Sequence, residues 1–172
     1  FDKYYQNRLH LITFSQKGGF GGAIEVAARC REHLPDVFIP VVESGLAGKM
    51  FDKIEAAKLF KEARIPIPRT YTAINAEMPA IAKPRRGSAS RGIKVFHNID
   101  ELMHLDNLQE YLVQEYIEHN REYTVDCYVS QSGEILATVP RLRMEVMGGE
   151  VTRTRTVRNS TLIDMSREVL TV

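Results

Sequence analysis

One stretch constrains this chain more than any other: an apolar run that ends in a lysine and opens into a loop of small residues. The apolar run is 79–82, Lys83 follows it, glycine and serine dominate 87–92, and a second apolar run over 93–96 brings the chain back. Backbone N–H groups in such a loop can approach an anion closely, and Lys83 adds a compact positive charge beside them. By itself the stretch favours equally a phosphate-covering loop between two strands and an ordinary polar hairpin.

The composition narrows the class of protein. The 172 residues, 44% hydrophobic and 26% charged, suffice for one domain with a core or for two small lobes. The net charge of +1 does not favour a nucleic-acid partner, and no apolar run reaches the roughly 20 residues that span a membrane. Cys30 and Cys127 lie in apolar segments without metal-ligand spacing, so we expect reduced core residues in a cytoplasmic protein. Because the chain starts at Phe1 and not at Met, we expect a fragment.

The first 50 residues predict a partial α/β unit. A buried strand over 9–14, a glycine turn over 17–22, a helix over 23–34 and a second strand over 36–42 follow in order, as in a βαβ piece of an open parallel sheet. The glycine turn lacks the G-x-G-x-x-G spacing, and no acidic residue closes the second strand. A structural tight turn is therefore favoured over a nucleotide site.

The rest of the chain predicts short helices between antiparallel strands. Asp52 caps a helix over 53–64, Pro66 ends it, and Asn98 caps a helix over 99–104. Alternating apolar positions and a hairpin turn at 131–134 indicate the strands. The predicted strands are 70–72, 79–82, 93–96, 111–117, 122–129, 135–139, 141–146 and 150–157, and a last helix starts at 160.

Five short motifs follow one another from residue 51 onward. They are Phe51-Asp52-Lys53, Ile-Pro-Ile-Pro-Arg-Thr-Tyr at 65–71, Ala82-Lys83-Pro84 with the loop 87–92, Val-Gln-Glu-Tyr-Ile at 113–117, and Glu-Tyr-Thr-Val-Asp at 122–126. In this order and spacing they resemble the ATP-grasp superfamily, in particular the ATP-binding domain of the carbamoyl-phosphate synthase large subunit and related carboxylate–amine ligases.

The resemblance implies an α+β ATP-grasp fold, in which two antiparallel α+β lobes surround a nucleotide cleft. A partial α/β unit, Rossmann-like and of the pre-ATP-grasp type, would precede it over 1–50. The N-terminal lobe with the phosphate loop would cover 51–113. The C-terminal lobe would cover 114–172 and stop before the strands that carry the metal ligands.

The resemblance also implies a nucleotide site. Lys53 and Lys83 match the two lysines that contact the nucleotide phosphates. The loop over the phosphates is represented by Gly87, Ser88, Ser90 and Gly92. The hinge between the lobes, whose backbone would read the adenine edge, comprises Gln114, Glu115, Tyr116 and Ile117. Glu115 would also lie near the adenine amino group, and Glu122 would accept hydrogen bonds from the ribose hydroxyls.

Several of these residues have a plainer interpretation. Lys53 could be a solvated first-turn lysine, although a cation is unfavourable at a helix N-terminus, which favours a functional reason. Glu122 could be a solvated residue at a strand end. Glu115 lies in an apolar strand, where an unpaired carboxylate is costly, so we expect it to have a partner.

Two pairs of arginines recur at period two, so each pair shares one face of its strand. Arg141 and Arg143 could form an exposed face, but two adjacent guanidinium groups favour an anion. With Lys83 they are the predicted catalytic residues, at the γ-phosphate or the acyl phosphate. Arg153 and Arg155 stay open between the substrate side and the surface.

The chemistry implied by the resemblance is carboxylate activation. ATP would phosphorylate a carboxylate or bicarbonate to an acyl phosphate, which an amine or ammonia would attack. Mg²⁺ is expected as a second cofactor, but the Glu-x-Asn pair of the family does not occur here, so its ligands are expected outside this chain. We expect the full-length protein to be an enzyme and this chain alone to be inactive.

Two other functions stay open. A non-catalytic nucleotide-binding or regulatory module would explain the missing metal ligands. Biotin-carboxylase-like chemistry is a neighbour in the same superfamily, but its glycine loop is usually richer in glycine. The expected partners are small-molecule carboxylate and amine or ammonia substrates, with neither nucleic acid nor membrane, and a homodimer is one option for the assembly.

Overall fold

The computed structural model of the chain describes residues 20–34, 37, 39, 41–87, 90–118, 121–130, 132–147 and 150–171. The helices are α1 (Phe20–His33), α2 (Ser44–Phe51), α3 (Lys53–Glu62), α4 (Ile99–Met103) and α5 (Ser160–Val169), with short 3-10 turns at Ala73–Asn75 and Leu108–Glu110. The strands are β1 (Thr70–Tyr71), β2 (Ala80–Pro84), β3 (Lys94–Phe96), β4 (Tyr111–Glu115), β5 (Glu122–Val129), β6 (Ile135–Met147) and β7 (Glu150–Thr156). Across these ranges no helix is long and apolar enough to cross a membrane.

The partial α/β unit is visible only in its helix. The predicted strand over 9–14 and residues 17–19 of the glycine turn lie outside the described residues, whereas 20–22, predicted as part of the turn, are the first residues of α1. Helix α1 confirms the helix predicted over 23–34 and packs against α2. The described positions of 36–42 do not form a strand, so a Rossmann-like unit is not seen in the part of the chain that the structure covers.

The first sheet positions the lysine of the loop. Its strand order is β1-β4-β2-β3, and all three pairings are antiparallel. Strand alternation turns Ala80 and Ala82 into a core that also contains Val113 of β4 and Leu102 of α4. Lys83 lies on the opposite face of β2, because neighbouring side chains alternate between the two faces of a strand.

Asp52 separates two consecutive helices. Its N–H donates to Lys49 O at the end of α2, and its carboxylate accepts from the N–H groups of Ile54 and Glu55 at the start of α3. Helix α3 ends earlier than predicted, at Glu62 and not at residue 64. The reason is local: Arg64 has a φ of 60°, a left-handed conformation that an α-helix cannot continue through.

The second sheet has the strand order β5-β6-β7 and is antiparallel throughout. The sequence predicted a break after Val139, but β6 runs through the buried Pro140, whose carbonyl accepts from Val157 N–H at 3.0 Å. Helix α5 packs against β5 and β6, and Asn159 caps it by accepting from Leu162 N–H.

Candidate nucleotide-binding site

Lys83 leaves the end of β2 and contacts the side chain of Gln114. The Lys83 Nζ donates to Gln114 Oε1 at 2.9 Å. Strand pairing explains the contact: Ile81 lies opposite Gln114 and Lys83 opposite Leu112, so Lys83 and Gln114 lie diagonally on one sheet face. Lys83 is partly buried, and Gln114 is almost completely buried.

Lys53 reaches the same region from the first residue of α3. Its Nζ donates to the carbonyl oxygen of Gly87 at 2.9 Å, and its backbone N–H donates to Arg85 O at 2.9 Å. The start of the helix is therefore tied to the segment that follows Lys83. The N–H groups of Lys53, Ile54 and Glu55 already donate to Arg85 O and to the Asp52 carboxylate, so the ammonium of Lys53 is what this end of α3 offers to an anion.

The environments of both lysines disfavour their charged forms, and the charge of Lys53 also acts on Lys83. Burial lowers the pKa of Lys83, and the positive charge of Lys53 lowers it further. Burial also lowers the pKa of Lys53, which the charge of Asp52 partly opposes. Both ammonium groups donate to neutral oxygens, so these hydrogen bonds do not neutralise them. An anion between them would relieve the repulsion and replace lost hydration.

A buried carboxylate holds the two lysine-bearing elements together. Asp52 is 2% exposed, accepts from Arg85 Nε at 2.5 Å and lies 3.6 Å from Arg86 Nε. Burial alone would raise the pKa of Asp52, but the hydrogen bond from Arg85 and those from the helix backbone lower it overall. Sequence reasoning identified Asp52 only as a helix cap. It missed the contact with Arg85, because the burial of Asp52 and its position beside Arg85 exist only in the folded chain.

The small-residue loop has the glycines that its backbone requires. Gly87 has a φ of 127° and Gly92 a φ of 73°, conformations that favour glycine. A Cβ at residue 92 would lie 2.9 Å from Pro84 Cγ, so the loop also approaches the end of β2 too closely for a side chain. Ser90 has a φ of 54°, and Ser88 lies outside the described residues.

The predicted hinge begins at the end of β4. Glu115 accepts from the Arg69 N–H at 2.7 Å, which confirms that this carboxylate has a partner. The Glu115 N–H donates to Arg69 O at 2.9 Å, and the Tyr116 N–H donates to Pro79 O at 3.1 Å. Both N–H groups thus already donate to backbone carbonyls of segments that lead into strands of the first sheet. The side chain of Ile117 is exposed.

The remaining predicted residues form a second group, on the sheet β5-β6-β7. Glu122 pairs with Arg143 at 2.9 Å, and Arg141 pairs with Asp126, with Nη2 2.9 Å from Oδ1. The hydrogen bond from Arg141 lowers the pKa of Asp126. The arginines proposed for phosphate thus both contact carboxylates of the neighbouring strand.

The second arginine pair lies on the other face of the same sheet. Arg155 lies opposite Leu142, the residue between Arg141 and Arg143, so it points away from them. Arg153 pairs with Glu145 at 3.0 Å. A register shift next to Glu145 brings these two residues opposite each other.

The described residues offer no obvious metal site. In the described ranges no group of three or more His, Cys, Asp or Glu side chains is placed to hold a metal ion. Glu122, Asp126 and Glu145 of the second sheet instead pair with arginines.

Comparison with known proteins shows the family of this chain. The sequence model of a family described as ATP-grasp domain matches residues 50–172. The chain belongs to the ATP-grasp family. The α+β ATP-grasp fold predicted from the sequence is therefore confirmed, whereas the boundaries after residues 50 and 113 stay predictions.

Solved structures share this ATP-grasp fold at low sequence identity. An ADP complex of purK, N5-carboxyaminoimidazole ribonucleotide synthetase, is 16% identical with a TM-score of 0.63, over 83% of this chain and 43% of that chain. L-amino acid ligase from Bacillus licheniformis is 14% identical with a TM-score of 0.61, over 88% of this chain and 39% of that chain. D-Alanine-D-Alanine ligase from Helicobacter pylori is 16% identical with a TM-score of 0.60, over 88% of this chain and 55% of that chain.

The ATP-grasp chain described here thus spans about half the length, or less, of these structures. No curated protein sequence matches it.

Proposed function

We propose that this chain is the ATP-binding part of an ATP-dependent ligase that activates a carboxylate or bicarbonate as an acyl phosphate, in the manner of carbamoyl-phosphate synthase. The observation that carries the proposal is the pair Lys53 and Lys83. Lys53 begins α3 and donates to Gly87 O at the glycine loop, while Lys83 ends β2, and the positive charge of Lys53 adds to burial in lowering the pKa of Lys83. The ADP complex and the two ligases with the same fold support the proposal.

The reaction would proceed in two balanced steps. A carboxylate oxygen attacks the γ-phosphorus of ATP, and the bond from that phosphorus to the β–γ bridging oxygen breaks, which releases ADP. The amine nitrogen then attacks the acyl carbon, phosphate leaves with the electron pair of the C–O bond, and the nitrogen loses a proton to solvent. The enzyme needs no nucleophile of its own for either step.

The residues of this chain would bind and orient the nucleotide in that reaction. Lys53 and Lys83 would neutralise phosphate charge, and the backbone of 87–92 would cover the phosphates. Glu122 would bind the ribose once it exchanged its contact with Arg143. The described residues contain no ligand set for Mg²⁺. The roles proposed for this chain are therefore to neutralise the charge of the nucleotide and to position it.

ATP binding tests this proposal directly. Titration calorimetry on the full-length protein should show that Lys53→Ala and Lys83→Ala each lower the affinity for ATP about ten-fold or more. Each substitution removes one charge-assisted contact. Lys61→Ala is the matched control, since Lys61 lies on the exposed surface of the same helix as Lys53. Equal ATP affinity in all four proteins would refute the assignment of the two lysines.

A non-catalytic nucleotide-binding module is the second candidate, and one observation favours it. The contacts of Arg141 with Asp126 and of Arg143 with Glu122 compensate the charges that would otherwise meet a transferred phosphoryl group. Phosphate release from ATP, followed in the full-length protein with a panel of carboxylates and amines, separates the two functions. Tight ATP binding without any stimulated phosphate release would establish the binding module.

A further inference from the structure

Gln114 is the most deeply buried polar side chain of the candidate site apart from Asp52. It is 4% exposed, in a strand whose neighbouring residues Leu112 and Val113 are also buried. The resemblance to the family assigned Gln114 a backbone role in the hinge. Its side chain, however, points along the sheet face that carries Lys83 and away from the core that contains Val113.

The hydrogen bonds of Gln114 define the orientation of its amide. Oε1 accepts from Lys83 Nζ at 2.9 Å, while Nε2 donates to Pro68 O at 3.3 Å and to Thr70 Oγ1 at 3.2 Å. If the amide were rotated, its NH₂ group would face an ammonium, which only donates, and its oxygen would face a carbonyl, which only accepts. Pro68 and Thr70, the first residue of β1, therefore orient the amide so that the Gln114 oxygen faces Lys83.

The chemical nature of this acceptor matters for an anion site. A carboxylate at the same place would neutralise the lysine charge and compete with phosphate, whereas an amide oxygen accepts the hydrogen bond and leaves the charge in place. Among the described residues, the charge of Lys53 acts on Lys83 and that of Asp52 acts on Lys53, while Asp52 is itself held by Arg85.

We propose that Gln114 is a positioning residue: its side-chain oxygen fixes the Lys83 ammonium at the end of β2 as a charged group that has no carboxylate partner among the described residues. The importance of this role for nucleotide binding rests on the function proposed above, but the positioning itself does not. Because Gln114 acts through Lys83, its effect is expected on the reactivity of that lysine even when no nucleotide is present.

The reactivity of Lys83 measures this role. The full-length protein is labelled with a limiting amount of an amine-reactive anhydride at several pH values, and the rate at Lys83 relative to the exposed Lys61 is read by peptide mass spectrometry. Gln114→Leu removes the acceptor, so Lys83 should lose its proton more readily and its relative rate should rise about ten-fold. Gln114→Glu supplies a negative charge, so the rate should fall by a similar factor, about ten-fold.

Opposite shifts in the two variants distinguish positioning from a general loss of structure. Val113→Ala is the matched control, because it weakens the core beneath the neighbouring position and leaves the Lys83 contact intact. If Gln114→Glu does not fold, Gln114→Leu decides alone. A Lys83 rate within roughly two-fold of the wild type in folded Gln114→Leu, or shifts of both variants in one direction, would overturn the proposal.

Protection by ATP keeps this result separate from the proposed function. Saturating ATP should slow the labelling of Lys53 and Lys83 in the wild-type protein. An absence of protection would count against the nucleotide site, whereas the contrast between the Gln114 variants would still report on positioning. If the site binds ATP, Gln114→Leu should also weaken that binding about ten-fold, because a misplaced ammonium loses a charge-assisted contact.

Discussion

Replacement of Asp52 is the sharpest test of how the site is assembled. This buried carboxylate caps α3 and also contacts Arg85, so it joins the helix that carries Lys53 to the end of the strand that carries Lys83. In Asp52→Ala the helix loses its cap, which costs about 1 kcal/mol. For a chain of this length a loss of about 1 kcal/mol lowers Tm by about 2–4 °C. The loss of the contact with Arg85 lowers Tm further.

Asp52→Asn separates the two contributions. Asparagine caps helices about as well as aspartate but is uncharged, so its Tm should lie between those of the wild type and Asp52→Ala. The pKa of Asp52 is lower in the folded protein than its ordinary value of 3.8. Its charge therefore stabilises the fold above that pH, and this contribution is lost as the pH falls from 3.8 through the lower, folded-state pKa.

Thermal denaturation followed by circular dichroism measures both effects. At neutral pH we expect the order wild type, Asp52→Asn, Asp52→Ala, and in acid the wild type and Asp52→Asn should converge. ATP affinity should fall in both variants, because Lys53 and Lys83 are then less well aligned. A Tm for Asp52→Ala equal to that of the wild type would show that Asp52 does not hold these elements together.

Three further predictions test individual parts of the structure. Gly92→Ala should destabilise the protein more than Gly133→Ala in urea denaturation: both residues have positive φ, which costs about 1–2 kcal/mol, but only at 92 would a Cβ meet Pro84 Cγ at 2.9 Å. Equal losses would contradict the close approach. ATP affinity should weaken as the pH rises towards the lowered pKa of Lys83, because the ammonium loses its charge, and a pH-independent affinity from titration calorimetry would contradict this. Asn159→Ala should lower the free energy of unfolding by about 1 kcal/mol and Asn159→Asp should leave it nearly unchanged, since only alanine lacks a capping oxygen. Similar losses in the two variants, measured by thermal denaturation, would show that the cap is unimportant.

Local patterns explain the elements that the sequence predicted well. Asp52, Asn98 and Asn159 each stand before a helix and accept from its first N–H groups, which needs only neighbouring residues. Alternation of side chains likewise predicted that Arg141 and Arg143 share a strand face. The early end of α3 was not predicted, because a left-handed conformation is uncommon for arginine and nothing in the sequence indicated it at Arg64.

The sequence did not predict which side chains of distant segments pair with one another. The motif at 122–126 indicated a ribose-binding carboxylate and the arginines an anion site, yet Glu122 contacts Arg143 and Asp126 contacts Arg141. These contacts depend on which residue of β5 lies opposite which residue of β6, and a shift of one position would place each side chain on the other face.

The sequence by itself determined that a lysine stands at the end of β2, that another begins α3, and that a glycine loop follows the first. Local propensity and strand alternation suffice for those features. Only the tertiary structure decided that Gln114 supplies the acceptor for Lys83 and that Asp52 and Arg85 join the two elements. The physical reason is that each contact joins segments far apart in the chain, and strand register and helix docking place them together only in the folded protein.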